Sequence, residues 1–270
     1  MADTVLWRSC LAFWPSLDEK RRVDLLASVM IDWACVAPLV IIGGLLPYGR
    51  YAVKGNKTRS FHINARLAWI LQELPAFAIP LHVLMTTKRL PSVPALVLMG
   101  SFLLHYGYRA LIYSFSIRGG KPSPLPFFLL AMFFCACNGY MQANYLLRHS
   151  SYPTSWFSEW NFILGMFVFL FGFYTNIRCD NILRGLRKPG ETGYKIPRGW
   201  MFNYVSGGNY FGEAAEWCGW ALACWSPQGL AFAVFATAFL SARSYSHHKW
   251  YLASFPNYPR NRKAFVPFLL

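Results

Sequence analysis

The hydrophobic residues of this 270-residue chain are concentrated in seven long blocks that are separated by short polar connections. Each block is close to the length that an α-helix needs to cross about 30 Å of hydrocarbon. The pattern therefore predicts an all-α integral membrane protein with seven transmembrane helices. The blocks cover approximately 24–47, 67–87, 93–115, 124–147, 161–178, 205–225 and 227–245.

The connections between the blocks are too short to hold separate soluble domains. We therefore expect one membrane domain over residues 24–270. Residues 1–23 precede the first block, and their acidic and basic side chains follow an apolar stretch. A cleaved signal peptide has the opposite order, so we interpret this segment as interfacial.

Charge is sparse and unevenly placed. Only 14% of the residues are charged, whereas soluble domains average about 25%. Of the 26 Lys and Arg residues, 18 fall on one side of the predicted spans, 7 on the other, and Arg109 lies within a span. The positive-inside rule places the richer side, with the C-terminus, in the cytosol. The net charge of +15 thus indicates contact with membrane lipid and argues against nucleic acid. The glycosylation sequence Asn56-Lys57-Thr58 would also face the cytosol and stay unmodified.

Cysteine and histidine give no indication of a metal site. None of the seven cysteines belongs to a CxxC pair, and Cys135 and Cys137 are too close for the usual zinc spacing. His247 and His248 lack further ligands at helical spacing. We expect no bound metal.

Glu73 interrupts the second apolar block, in the sequence LQELPAFAIP. An ionisable side chain inside a membrane costs about 2.5 kcal/mol or more, so it is a candidate functional residue. Pro75 and Pro80 each remove a backbone donor nearby. The alternative is that Glu73 pairs with a buried arginine and fixes the packing of the helices.

The third block carries Tyr106, Arg109 and Tyr113 at i, i+3 and i+7, which places them on one helical stripe. A buried phenol usually needs a hydrogen-bond partner. A protonated glutamic acid and a phenol could together hold a ligand carbonyl, as an oxyanion hole does. This gives Glu73 and Tyr106 a joint chemical role. The alternative for Tyr106 is core packing or anchoring at the interface.

Polar residues also share helical faces in the fifth and sixth blocks. Asn209 and Glu213 are one turn apart, and Asn176, Asp180 and Arg187 lie on one face at the end of the fifth block. The basic segment after this block would border anionic lipid headgroups. Alternatively, it would receive an anionic ligand with phosphates, ribose hydroxyls and an amide.

Several motifs, in order along the chain, resemble those of the steroid 5α-reductases: LQELP, HYGYRALIY, RGGKP, CNGY, GYKIPRG, NYFGE and the tail with HHKWYL and RNRKAFVPFLL. The resemblance extends from about residue 60 to the C-terminus. It implies a seven-helix reductase of the endoplasmic reticulum membrane. Such an enzyme uses NADPH to reduce the 4,5 double bond of 3-oxo-4-ene steroids.

The resemblance also implies roles for individual residues. Glu73 and Tyr106 would hold the steroid C3 carbonyl while a hydride reaches C5 and a proton reaches C4. Trp69 and Tyr113 match positions near the steroid and the reactive ring. The positions matched to the cofactor are Asn176, Asp180, Arg187, Tyr194, Asn209, Glu213, Arg243, His247 and Tyr251.

Two other functions remain open from the sequence. A related membrane reductase could act on a polyprenol or an enoyl thioester, although LQELP and HYGYR favour the steroid branch. A non-catalytic lipid receptor or transporter is the alternative from a different class. The paired repeats typical of many transporters do not occur in the sequence. We expect the protein to be a monomer.

Overall fold

The computed structural model describes residues 14–45, 61–117, 120–187, 191 and 193–269. Within these ranges the chain forms seven long helices and one small sheet. The helices are α1 Glu19–Ile42, α2 Ala65–Thr86, α3 Val93–Gly107, α4 Leu125–Asn144, α5 Trp160–Gly185, α6 Gly208–Cys224 and α7 Pro227–Ser254.

Short elements extend or connect these helices. A π-helical turn, Tyr108–Tyr113, and the short helix Ser114–Ser116 continue α3, and a second π-helical turn, Tyr145–His149, continues α4. Strands β1, His62–Ile63, and β2, Ser123–Pro124, pair antiparallel just before α2 and α4. The 3-10 helices Thr154–Ser158 and Trp200–Asn203 lie before and after α5.

The all-α, multi-pass membrane class is confirmed. Five helices in the described part of the chain are long and apolar enough to cross a membrane: α1, α2, α3 with its extension, α4 with its extension, and α5. Helices also form over the sixth and seventh predicted blocks, but neither α6 nor α7 meets that criterion of length and composition. α6 has only 17 residues.

Several helix ends differ from the hydropathy pattern: α1 ends at Ile42 rather than near 47, and α7 continues to Ser254 rather than 245. α1 begins at Glu19, within the segment predicted to be interfacial, because the side chain of Asp18 accepts a 2.8 Å hydrogen bond from the Arg21 backbone N–H. α5 continues to Gly185 because its final turns are polar but still helical. The rest of the predicted N-terminal segment, residues 1–13, and the Asn56 sequence lie outside the described residues.

The closest helix contact is that between α5 and α6. A Cβ added to Gly172 would lie 2.2 Å from the Glu216 backbone nitrogen, and one added to Gly212 would lie 2.5 Å from that of Asn176. Gly165 and Gly219 are equally close to the opposite backbone. Glycine allows membrane helices to approach in this way. The two backbones therefore touch, and their register is fixed.

A second close contact joins α2 to α4. A Cβ on Gly139 would lie 3.0 Å from the Ala76 Cα and 3.2 Å from the Pro75 carbonyl oxygen. Pro75 and Pro80 both lie inside the continuous helix α2. Gly139 thus allows α4 to pack directly on the part of α2 that carries Glu73.

We expect Gly172→Ala to destabilise the protein, because the added methyl group must separate α5 from α6. Overpacking of this kind typically costs about 1–3 kcal/mol. Thermal unfolding in detergent measures the effect. Gly100→Ala on α3 is the control, since a Cβ there meets nothing within 4 Å. Equal unfolding temperatures for the two variants would contradict the close contact.

Candidate active site

A buried ion pair lies where α3 meets α5. Arg109 Nη1 is 3.1 Å from Asp180 Oδ2, and the two side chains are only 9% and 4% exposed. Arg109 belongs to the π-helical turn Tyr108–Tyr113. Single π-helical turns within α-helices are frequent at functional sites. A pair so far from water needs further hydrogen bonds to be stable.

Helix α6 supplies those bonds. Asn209 Nδ2 donates to Asp180 Oδ1 at 3.1 Å. Asn176 Nδ2 donates to the Asn209 carbonyl oxygen at 3.0 Å and lies 3.3 Å from Glu213 Oε2. The structure thus brings these four residues of the α5 and α6 polar faces into one network with Arg109.

Arg109 is also held by aromatic rings. Its guanidinium carbon lies 4.8 Å from the centre of the Trp69 ring and 4.4 Å from that of Tyr113. The two rings meet edge to face at 5.5 Å. Cation–π contacts of this kind become stronger when the groups are out of water. Trp69 and Tyr113 therefore form one wall around the buried cation.

The side chains of Glu73 and Tyr106 both contact residues on the same face of α4. Cys135 Sγ lies 3.8 Å from Glu73 Oε2. One turn further along α4, Asn138 Nδ2 donates to the Tyr106 hydroxyl at 3.2 Å. Glu73 comes from α2 and Tyr106 from α3, so α4 is the element that brings their surroundings together. Arg109, the arginine nearest in sequence to Tyr106, forms its ion pair with Asp180 rather than with Glu73.

A second cluster lies beyond the end of α5. The Arg187 guanidinium stacks 4.8 Å from the centre of the Tyr194 ring. Tyr194 in turn meets Trp250 edge to face at 5.0 Å. These three side chains connect the basic segment after α5 to α7.

The remaining predicted residues belong to α7. His247 Nε2 lies 3.5 Å from the Tyr210 hydroxyl, which connects α7 to α6. The Tyr251 ring stacks on that of Tyr258 at 5.1 Å. Arg243 is 4% exposed and lies one turn before His247. All three residues are therefore on the part of α7 nearest the start of α6.

The segment before α6 is supported by contacts that the sequence did not suggest. Ser206 Oγ lies 2.7 Å from His248 Nδ1 and 2.6 Å from the Tyr258 hydroxyl. These contacts join the segment before α6 to α7 and to the chain that follows α7.

Backbone pairing completes this support. Val205 forms a parallel bridge with Lys263, and the Ser206 N–H donates to the Lys263 carbonyl at 2.9 Å. The Gly207 N–H donates to the Ala264 carbonyl at 3.1 Å. The chain around residues 263–264 thus holds the segment that leads into Asn209.

Two further groups of buried residues have partners that the sequence did not predict. His105 Nδ1 lies 2.8 Å from Glu216 Oε1 between α3 and α6, with both side chains at most 3% exposed. Asn138 and Gln142 are fully buried on α4. Amides inside an apolar block were the available signal for the second group. Among the residues that the structure describes, no three His, Cys, Asp or Glu side chains are grouped as metal ligands would be.

Comparison with known proteins identifies the family. Residues 121–270 match the family model described as 3-oxo-5-alpha-steroid 4-dehydrogenase. The chain is 47% identical over 260 residues to 3-oxo-5-alpha-steroid 4-dehydrogenase 1 of Bos taurus, covering 94% of this chain and 99% of that protein. It is 50% identical over 224 residues to the Homo sapiens protein of that name, and these residues cover 82% of this chain and 85% of that protein.

The similarity includes a second form of the enzyme. Identity to 3-oxo-5-alpha-steroid 4-dehydrogenase 2 of Homo sapiens is 45% over 240 residues, which cover 86% of this chain and 94% of that protein. The matches to these three relatives cover between 82% and 94% of this chain. The chain therefore belongs to the 3-oxo-5-alpha-steroid 4-dehydrogenase family.

Proposed function

We propose that this protein reduces the 4,5 double bond of a 3-oxo-4-ene steroid to the 5α product, with NADPH as the reductant. The observation that carries the proposal is the meeting of Glu73 and Tyr106 on one face of α4, inside helices that cross the membrane. Two potential donors in an apolar setting suit a single carbonyl oxygen on an otherwise apolar ligand. The names of the relatives support the same substrate class.

The residues around Arg109 fit a nicotinamide nucleotide. Asn176 Oδ1 is buried and has no hydrogen-bond partner among the residues that the structure describes, so it can accept a bond from a ligand amide or hydroxyl. Glu213 and Asp180 add carboxylate oxygens for ribose hydroxyls. Arg187 offers a guanidinium for phosphate. We assign to the cofactor Asn176, Asp180, Arg187, Tyr194, Asn209, Glu213, Arg243, His247 and Tyr251.

The chemistry of the chain's own residues follows from these positions. When bound, NADPH supplies the hydride that is added to the steroid C5. Glu73 and Tyr106 donate hydrogen bonds to the C3 oxygen, where negative charge develops as C5 is reduced. Donors that are already in place stabilise this charge without reorganising. The rings of Trp69 and Tyr113 keep water away, and a proton at C4 completes the reaction.

The setting of the site agrees with a substrate that is dissolved in lipid. Large apolar side chains are exposed along α1 to α5, as expected for helices in hydrocarbon. In our proposal all seven helices are embedded around one cavity for cofactor and steroid. The enzyme is a monomer of the endoplasmic reticulum membrane. The side with 18 Lys and Arg residues, including the C-terminus, faces the cytosol and its NADPH.

The first test is Glu73→Gln. Glutamine keeps a donor but not an acidic one, so we expect turnover of a 3-oxo-4-ene steroid to fall by about 10²–10³, as when one oxyanion donor is lost. NADPH binding should be unchanged. The measurements are steady-state NADPH consumption in membranes and NADPH affinity of the purified protein. Turnover equal to that of the wild type would instead assign Glu73 to helix packing.

The second test is cofactor discrimination by Arg187→Ala. A guanidinium binds a phosphate through paired donors, and charge-assisted bonds of this kind correspond to about 10- to 150-fold in affinity. If Arg187 contacts the 2′-phosphate, the KM for NADPH rises by that factor while the KM for NADH stays nearly constant.

Arg178→Ala is the matched control for this experiment. Arg178 is a cation within α5, and its guanidinium stacks on Trp200 at 5.1 Å and donates to the Tyr174 hydroxyl at 3.2 Å. Its guanidinium is therefore held by Trp200 and Tyr174 and not by Tyr194, and its removal should leave both KM values unchanged. An equal rise for the two cofactors in Arg187→Ala would assign this residue to the pyrophosphate. If neither KM value changed, Arg187 would be assigned only to contact with lipid headgroups.

A further inference from the structure

A chain of buried amides fixes the direction of the hydrogen bond at Tyr106. The main-chain carbonyl of Gln228 can only accept, so the Gln142 atom that lies 2.9 Å from it must be the amide nitrogen. The second hydrogen of the same amide points to Asn138 Oδ1, at 3.2 Å. Asn138 must therefore turn its own NH2 group toward the Tyr106 oxygen, at 3.2 Å.

The result at Tyr106 is a hydroxyl with a defined direction. Because the Tyr106 oxygen accepts the hydrogen bond from Asn138, the hydroxyl hydrogen does not point toward Asn138 and can donate to another group. Asn138, Gln142 and Gln228 are fully buried, and Tyr106 is 4% exposed. Bulk water is therefore kept from competing for these atoms.

We infer that Asn138 is a positioning residue, which holds Tyr106 as a hydrogen-bond donor toward the steroid carbonyl. This inference rests on the proposed function, because it needs Tyr106 to contact that carbonyl. A phenol that accepts one hydrogen bond also becomes a stronger donor of its own, since hydrogen bonds in a chain polarise one another. Asn138 thus both directs the hydroxyl and strengthens it.

The amide chain is anchored on two further helices. Gln228, at the start of α7, donates from Nε2 to Asp24 Oδ1 at 2.8 Å, and Asp24 belongs to α1. The direction of the hydrogen bonds along this amide chain therefore depends on four helices being in place: α1, α3, α4 and α7.

The alternative is a purely structural role, in which Asn138 joins α3 to α4 and has no effect on the chemistry of Tyr106.

Asn138→Leu distinguishes the two roles. We expect kcat for a 3-oxo-4-ene steroid to fall by about 10- to 100-fold, the loss that follows in metalloenzymes when a residue that orients a metal ligand is removed. NADPH affinity should stay at the wild-type value. Asn144→Leu is the matched control, because Asn144 is also a fully buried asparagine of α4, but in the described part of the chain its amide donates to the Tyr140 carbonyl, at 2.8 Å, and not to Tyr106. If the two variants lose the same stability and the same kcat, the inference is overturned.

A double-mutant cycle with Tyr106→Phe tests whether Asn138 acts through the phenol. In the Tyr106→Phe background there is no hydroxyl to direct, so Asn138→Leu should cause no further loss of kcat. Independent, multiplicative losses would mean a purely structural role and overturn the inference.

The same cycle separates this inference from the proposed function. Wild-type turnover in Tyr106→Phe would refute the role of Tyr106 and the inference with it. Slow turnover in Tyr106→Phe together with wild-type turnover in Asn138→Leu would refute only the inference.

Gln142→Met provides an answer if Asn138→Leu does not fold. Gln142 does not touch Tyr106, but without its donor the Asn138 amide is free to turn its oxygen toward the phenol. We expect kcat to fall, and the fall to disappear in the Tyr106→Phe background. An unchanged kcat in Gln142→Met would overturn the inference.

Discussion

The direct contact between the backbones of α5 and α6 is the constraint on which the candidate active site depends. Gly172 and Gly212 leave no space for a side chain between the two helices, so neither helix can slide or rotate without a clash. This fixed register sets Asn176 opposite Asn209, and the hydrogen bond that joins them is 3.0 Å long. A larger residue at either glycine would separate these groups beyond hydrogen-bonding distance.

The polar network then explains how charge is tolerated among apolar helices. Asp180 receives bonds from Arg109 and Asn209, and the flat guanidinium of Arg109 is covered by the rings of Trp69 and Tyr113. Removing one partner would leave an uncompensated buried charge, which is far more costly than losing the pair together. The contacts around Arg109 must therefore form together, and they require α2, α3, α5 and α6 to be in place at the same time.

Much of this could be predicted from the sequence, for identifiable reasons. Hydropathy located the helices because apolar blocks of about 20 residues have few other uses. Spacing of one turn placed Asn176 with Asp180, and Asn209 with Glu213, because residues four apart share a helical face. The ends of α1, α5 and α7 were misplaced because a cap and polar helical turns carry no hydropathy signal.

Contacts between distant parts of the chain could not be predicted in the same way. Periodicity shows which face a side chain occupies but not which helix it meets. The choice of Asp180 as the partner of Arg109, and of Asn138 as the partner of Tyr106, depends on three-dimensional packing. The π-helical turn also changes the spacing after Gly107, so Arg109 faces Asp180 while Tyr106 faces α4.

The bridge between Val205 and Lys263 has a consequence for the order of folding. Helices α1 to α5 can enter the bilayer as they are synthesised, but the segment before α6 finds its backbone partner only after α7 has been made. Closing such a long loop is slow compared with forming a helix. The polar network is thus completed late, after the membrane-embedded scaffold exists. A nascent chain that stops within α7 would contain α1 to α5 and yet lack the backbone pairing that supports the start of α6.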